Sequence, residues 1–176
     1  MDIETQFLNL IIKGNLYTIQ QFYKNNNITN KNVNYEHLFT YACESGHLEV
    51  AKWLLEIKPT INISYDDETI FRIVCEFGKL DIAKWLLEVK PNIDISIYDE
   101  EAFRFACKRG ELEVAKWLLE VKPNIDITSY EDYAFIMSCG NGSLEVAKWL
   151  AEKNKNYKLT IDYEFGGDIL DYYVKR

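Results

Sequence analysis

Leu48-Glu49-Val50-Ala51-Lys52-Trp53-Leu54-Leu55-Glu56 decides how this chain is read, because it keeps returning. It recurs as Leu80-Asp81-Ile82-Ala83-Lys84-Trp85-Leu86-Leu87-Glu88, as Leu112-Glu113-Val114-Ala115-Lys116-Trp117-Leu118-Leu119-Glu120, and with one replacement as Leu144-Glu145-Val146-Ala147-Lys148-Trp149-Leu150-Ala151-Glu152. The interval is 32 residues each time. Cys43, Cys75, Cys107 and Cys139 keep the same interval, as do Gly46, Gly78, Gly110 and Gly142. Phe7, Phe39, Phe71, Phe103 and Phe135 carry it almost to Met1, with Gly14 and Leu16 matching Gly46 and Leu48. An internal period of this size is the mark of a solenoid, a propeller or an array.

Two helical patterns fill each period. In Glu68-Thr69-Ile70-Phe71-Arg72-Ile73-Val74-Cys75, the residues Ile70, Phe71, Val74 and Cys75 share one helical face, and Ala102, Phe103, Ala106 and Cys107 repeat it. Acidic residues crowd the start of this first helix, Asp66, Asp67 and Glu68 in one unit and Asp99, Glu100 and Glu101 in the next, where carboxylates are expected to cap free N–H groups. Gly78 or Gly110 ends it. The repeated stretch quoted above is the second helix, with Leu112, Ala115, Leu118 and Leu119 as its inner stripe and Glu113, Lys116 and Glu120 facing out. Lys58-Pro59, Lys90-Pro91 and Lys122-Pro123 stop it, since proline disfavours the α region for its predecessor. The Asn-Ile-Asp-Ile-Ser type segment that follows reads as an extended hairpin arm.

The expected architecture is therefore an all-α solenoid of helix–turn–helix–loop units forming one domain over residues 1–176. Units fall at 33–64, 65–96, 97–128 and 129–160, after a divergent N-terminal repeat at 1–32 and before a partial C-terminal capping repeat at 161–176, with a short helix around Asp168–Val174.

Charge and chemistry narrow the function. Acidic residues outnumber basic ones 28 to 20, a formal net charge of −8, so no global field attracts a phosphate backbone and nucleic acid is not expected as a partner. No apolar run approaches the roughly 18 residues of a membrane span, and the start lacks the basic n-region of a signal peptide, so no membrane partner and an intracellular, cytoplasmic location are expected. In a solenoid, residues of one column form a ladder and do not converge. Stacked helices about 8–10 Å apart hold neighbouring cysteines beyond disulfide reach, so the four thiols read as reduced core fillers. Only His37 and His47 are present and no close cysteine pair exists, which leaves no metal site. No phosphate loop, nucleophile elbow or convergent acid–base pair is recognisable, so neither catalysis nor a cofactor is expected.

Gly46-His47-Leu48-Glu49-Val50-Ala51-Lys52-Trp53-Leu54-Leu55 resembles the Gly-His-x-x-Val-x-x-x-Leu-Leu signature of the ankyrin-repeat family, and Phe71 and Cys75 stand where that family usually has Leu and a small Ala. The likeness is strongest over residues 35–153. The period of 32, the missing Thr-Pro-Leu-His opening and Lys-Pro after the second helix are departures. The wording is most similar to ankyrin repeats multiplied in giant DNA viruses of amoebae, and 16 Lys against 4 Arg suits an AT-rich genome. The resemblance implies protein–protein recognition through the concave face, made by the tips and the outward side of the first helices. A viral source implies a host protein, held by an adaptor or competitive inhibitor acting as a monomer.

On that resemblance, the tips carry Tyr35, Tyr65, Asp66, Tyr98, Glu100, Tyr130 and Asp132, and the ends of the first helices carry Phe77, Arg109 and Asn141. Tyr41, Ile73, Phe105 and Met137 form an apolar row one turn earlier. Tyrosine with carboxylate suits a partner of basic or mixed polar surface. The same acids also serve as helix caps, and the apolar row also serves as filler between helices. Phe77 stands out in a column otherwise holding Lys13, Ser45, Arg109 and Asn141. Trp53, Trp85, Trp117 and Trp149 read first as glue between units. The alternative is a self-assembling or structural component that uses a Trp-bearing convex face.

Overall fold

Helices pair off along the chain: α1 (Ile3–Lys13) with α2 (Leu16–Asn25), α3 (Tyr35–Glu44) with α4 (Leu48–Ile57), α5 (Tyr65–Glu76) with α6 (Leu80–Val89), α7 (Ile97–Arg109) with α8 (Leu112–Val121), and α9 (Ser129–Gly140) with α10 (Leu144–Lys153). The computed structural model describes residues 2–29, 33–162 and 168–175. Residues 1, 30–32, 163–167 and 176, which belong to the expected first and last units, lie outside the described residues.

The turn within each pair follows from its glycine. Gly46 has φ +84°, the N–H of His47 reaches back to the carbonyl of Ala42 at 2.9 Å and that of Gly46 to Cys43 at 3.0 Å, a Schellman closure of α3. Lys79 to Val74, Glu111 to Ala106 and Ser143 to Ser138 repeat the long bond at 2.8, 2.9 and 2.8 Å. The second helix of each central pair stops at the lysine before proline. Lys90 donates to Leu86, and the N–H of Ile93 then closes a turn on the carbonyl of Lys90. Asn62, Asp94 and Asp126 each accept the N–H two residues on, at 3.2, 3.0 and 2.9 Å. The expected extended arm is thus two consecutive turns, pinned by the buried Ile61, Ile93 and Ile125.

The core is a set of columns. Phe7, Phe39, Phe71, Phe103 and Phe135 are fully buried or nearly so, beside the buried, free cysteines. In the second helices the buried set is Val114, Ala115, Trp117 and Leu118, with Leu112 and Leu119 only half-buried, which shifts the inner stripe from the one expected. Adjacent pairs interlock through Phe39 with Trp85, Phe71 with Trp117 and Phe103 with Trp149, ring centroids 6.1–6.3 Å apart. His47 Nε2 donates to the carbonyl of Ile12 at 2.8 Å, and its ring lies where a Cβ on Gly14 would stand, 2.3 Å away.

One element departs from the expected class. The segment Asp168–Val174 is not a helix but β2, paired antiparallel with β1 (Tyr157–Asp162) from Tyr157 opposite Val174 to Asp162 opposite Asp168, with a bulge at Thr160/Ile161. Its Ile169, Tyr172, Tyr173 and Val174 are β-branched or aromatic types, which favour a pleated surface. Tyr157 stacks on Phe135 at 4.1 Å and 6°, and Tyr172 meets the same ring edge-on at 6.1 Å. The hairpin therefore covers the phenylalanine column where a further tryptophan would otherwise pack.

Candidate functional site

The tips of the last three pairs share an uncommon backbone. Asp66-Asp67-Glu68, Tyr98-Asp99-Glu100 and Tyr130-Glu131-Asp132 each hold three consecutive positive φ values between +50° and +62°, one left-handed turn ahead of the right-handed helix. Side chains at such φ cost roughly 1–2 kcal/mol per residue, so surrounding groups must hold the turn in place. The expected capping role of these acids is corrected accordingly, for α5, α7 and α9 carry no side-chain cap bond. Instead Ser64 and Ser96 donate to Glu68 and Glu100 at 2.5 Å, Lys90 donates to Ser64, and Ser129 donates to the carbonyl of Asp99 at 2.7 Å.

Two arginines complete the clamp. Arg72 donates through Nε to the carbonyl of Asp67 at 3.2 Å and through Nη2 to Thr69 Oγ1 at 2.6 Å and the carbonyl of Asp66 at 3.4 Å. It also pairs with Glu101 and lies over the ring of Tyr98, 5.1 Å from the centroid. Arg104, 6% exposed, donates to the carbonyls of Asp99 at 2.6 Å and Tyr98 at 2.8 Å. Its guanidinium lies 4.6 Å from the ring of Tyr130 and 5.1 Å from that of Tyr133. Each arginine therefore shapes its own tip and stacks on a tyrosine of the next.

These contacts leave an open groove of about 550 Å³ bordered by Arg72, Tyr98, Glu101, Arg104, Phe105 and Tyr133, and beside it a second hollow of about 540 Å³ lined by Tyr130, Glu131, Tyr133 and Ile136. Tyr65, Tyr98 and Tyr130 are exposed by half or more. Tyr98 donates its hydroxyl to Asp67, and this bond raises its pKa above the ordinary 10.0.

The expected binding residues divide. Tyr98, Phe105 and Tyr130 meet at the groove and hollow, and Tyr65, Asp66 and Tyr41 are exposed nearby in sequence register. Ile73 is half-buried. Tyr35 is a correction: it directly follows Asn34, which caps α3 by accepting from the N–H of His37, and it is buried. That burial, with Tyr23 beside it, pushes its phenol well up. Glu100 is taken by Ser96 and Asp132 by the hydroxyl of Tyr157 at 2.6 Å. Phe77 has a structural neighbour after all, for Arg109 lies 4.9 Å over its ring while pairing with Glu76 at 2.9 Å. Asn141 donates to the carbonyl of Lys108 at 3.1 Å.

Arg72, Arg104, Glu101 and Tyr133 were missed by the sequence reading. A signal existed: each of the two arginines precedes a tip tyrosine by 26 residues, Arg72 with Tyr98 and Arg104 with Tyr130. The tryptophans pack against the core, each ring against an aromatic of the preceding pair, with Tyr23 filling that role for Trp53 at 5.4 Å. Burial pushes the thiols of Cys43, Cys75 and Cys107 well up and that of Cys139 to about 11, so none is a thiolate near neutrality. Among the described residues no group of three or more His, Cys, Asp or Glu is placed to hold a metal, and no helix is long and apolar enough to cross a membrane.

A family model described as "Ankyrin repeats (3 copies)" matches residues 8–99 and 73–161. Comparison with curated proteins gives no match.

Proposed function

The chain belongs to the ankyrin-repeat family, whose arrays are generally protein–protein interaction modules, and from that premise we propose that it binds its partner across the groove of Tyr98, Phe105 and Tyr133 and the adjoining tips. The observation that carries the reading is the pair of arginine-clamped tips, which hold exposed tyrosines in fixed positions around an open groove. Tyrosine held rigid loses little entropy on binding, which is what a recognition surface requires. Asp66, Asp67, Asp99 and Glu131 stand exposed around it, favouring a partner of basic or mixed polar surface. We propose a monomer acting in the cytoplasm as adaptor or competitive inhibitor. The likeness to arrays of amoebal giant viruses directs the proposal to a host-cell protein.

The test compares three immobilised baits against an amoebal lysate: wild type, Tyr98→Ala with Phe105→Ala, and a second-helix control, Lys84→Ala with Glu88→Ala. A protein kept by wild type and control but lost by the groove variant supports the assignment. Equal retention by all three removes it, and concentration-dependent self-association in sedimentation with nothing retained favours the structural alternative.

A further inference from the structure

The column Thr40, Arg72, Arg104 and Ile136 follows the 32-residue period and carries arginine at its two middle members only. Arg72 and Arg104 each reach back five and six residues to the carbonyls of a left-handed turn. The third such turn, Tyr130-Glu131-Asp132, has nearly the same backbone, with φ of +54°, +57° and +62°, but position 136 offers only an isoleucine. Among the described residues no side chain donates to the carbonyl of Tyr130 or Glu131. A hollow of about 540 Å³ opens there, lined by Tyr130, Glu131, Tyr133 and Ile136. These are the positions 64 residues beyond Asp66, Asp67, Thr69 and Arg72, the groups that hold the Arg72 guanidinium and that arginine itself.

We propose that this hollow is a slot for an arginine side chain of the partner protein, which supplies from outside the guanidinium that the chain supplies to its own two preceding tips. This rests on the protein-binding reading above, because the arginine must come from another molecule. The chemistry selects arginine over other cations. A planar guanidinium presents several N–H donors in a fixed fork and spans two backbone carbonyls, as Arg104 does on Tyr98 and Asp99, whereas an ammonium is a point charge. The exposed Glu131 carboxylate supplies the counter-charge, the ring of Tyr133 an aromatic wall, and Ile136 an apolar surface for the alkyl stem.

The experiment titrates acetyl-Gly-Arg-Gly-amide, and the matching Gly-Lys-Gly peptide, into the full-length ¹⁵N-labelled protein and follows backbone amide shifts. Saturable shifts at Tyr130, Glu131 and Ile136 are expected with the arginine peptide, and binding about tenfold or more weaker with the lysine peptide. Ile136→Arg fills the slot from within and abolishes the shifts, and Glu131→Gln weakens them without touching the apolar wall. The proposal is overturned if the arginine peptide gives no saturable shift, if both peptides bind alike, or if folded Ile136→Arg protein binds as wild type does. If Ile136→Arg does not fold, undiminished binding by Glu131→Gln overturns it instead. Failure of the peptide while the groove variant still releases a partner removes the slot alone. Peptide binding with no partner lost from the groove variant keeps the slot and removes the wider face.

Discussion

Arg104 is charged, almost wholly buried, and bonded to two carbonyls of a strained turn. Arg104→Met keeps most of the stem but leaves the carbonyls of Tyr98 and Asp99 unmatched, and a loss of about 2 kcal/mol is expected in urea unfolding. Arg104→Lys is expected to restore little of it, since one ammonium does not span both acceptors. Tyr98 gives a second readout. Its pKa is raised in the folded chain by the bond it donates to Asp67, so the contribution of that bond is present below pH 10 and is lost as pH rises through the raised value. Asp67→Asn is expected to bring the phenolate transition of Tyr98 down toward 10, read by ultraviolet absorbance against wild type. At this scale the periodic core was readable, because Phe71 or Cys75 has one environment repeated along the array. Arg72 and Arg104 were not, because an arginine on a helix normally reads as solvated. Tyr35 misled because its exposure depends on whether a left-handed turn precedes the helix, and Asn34 caps α3 directly instead.

The helices themselves were legible from stripe, glycine and proline, and the glycines make that logic testable. Gly78 has φ +69° and a Cβ there would fall 2.1 Å from Glu111 Oε2, whereas Gly142, also at +69°, has nothing within 4 Å. Both alanine variants carry the left-handed backbone cost of about 1–2 kcal/mol, and only Gly78→Ala also forces the flexible Glu111 carboxylate aside, a small further cost. Thermal unfolding should therefore place Gly78→Ala below Gly142→Ala, with Glu111→Ala in the Gly78→Ala background narrowing the gap. The hairpin was the element that sequence did not reveal. A strand's partner lies elsewhere in the chain, and Asp168–Val174 has no counterpart in the repeat from which to infer one. The left-handed turns were equally hidden, since Tyr and Glu seldom adopt that region and Asp does so only as a single residue, and the side chains that grip the first two turns lie outside them in sequence.

For the whole molecule, stability is a sum of pairs and the interfaces between neighbours, so a lesion at one end should be felt locally. Tyr157→Ala removes the ring stacked on Phe135 and the hydroxyl bonded to Asp132. Amide hydrogen exchange should accelerate in α9 and α10 while α3 and α4 stay close to wild type. Uniform acceleration along the array would show instead that it unfolds as one cooperative unit. The solenoid as a whole was readable because one short word fixed the period. The proposed recognition surface was only partly so, because it lies where the repeats differ. The side chain that leans over each turn glycine differs from pair to pair: His47 over Gly14, Lys79 over Gly46, Glu111 over Gly78 and Ser143 over Gly110. The join therefore accepts an imidazole, an amine, a carboxylate or a hydroxyl, with a hydrogen bond to the preceding pair where His47 and Ser143 supply one. Units joined so permissively can be duplicated, deleted or exchanged by recombination in register, and the array can acquire new binding specificities by shuffling whole repeats while its interior stays unchanged.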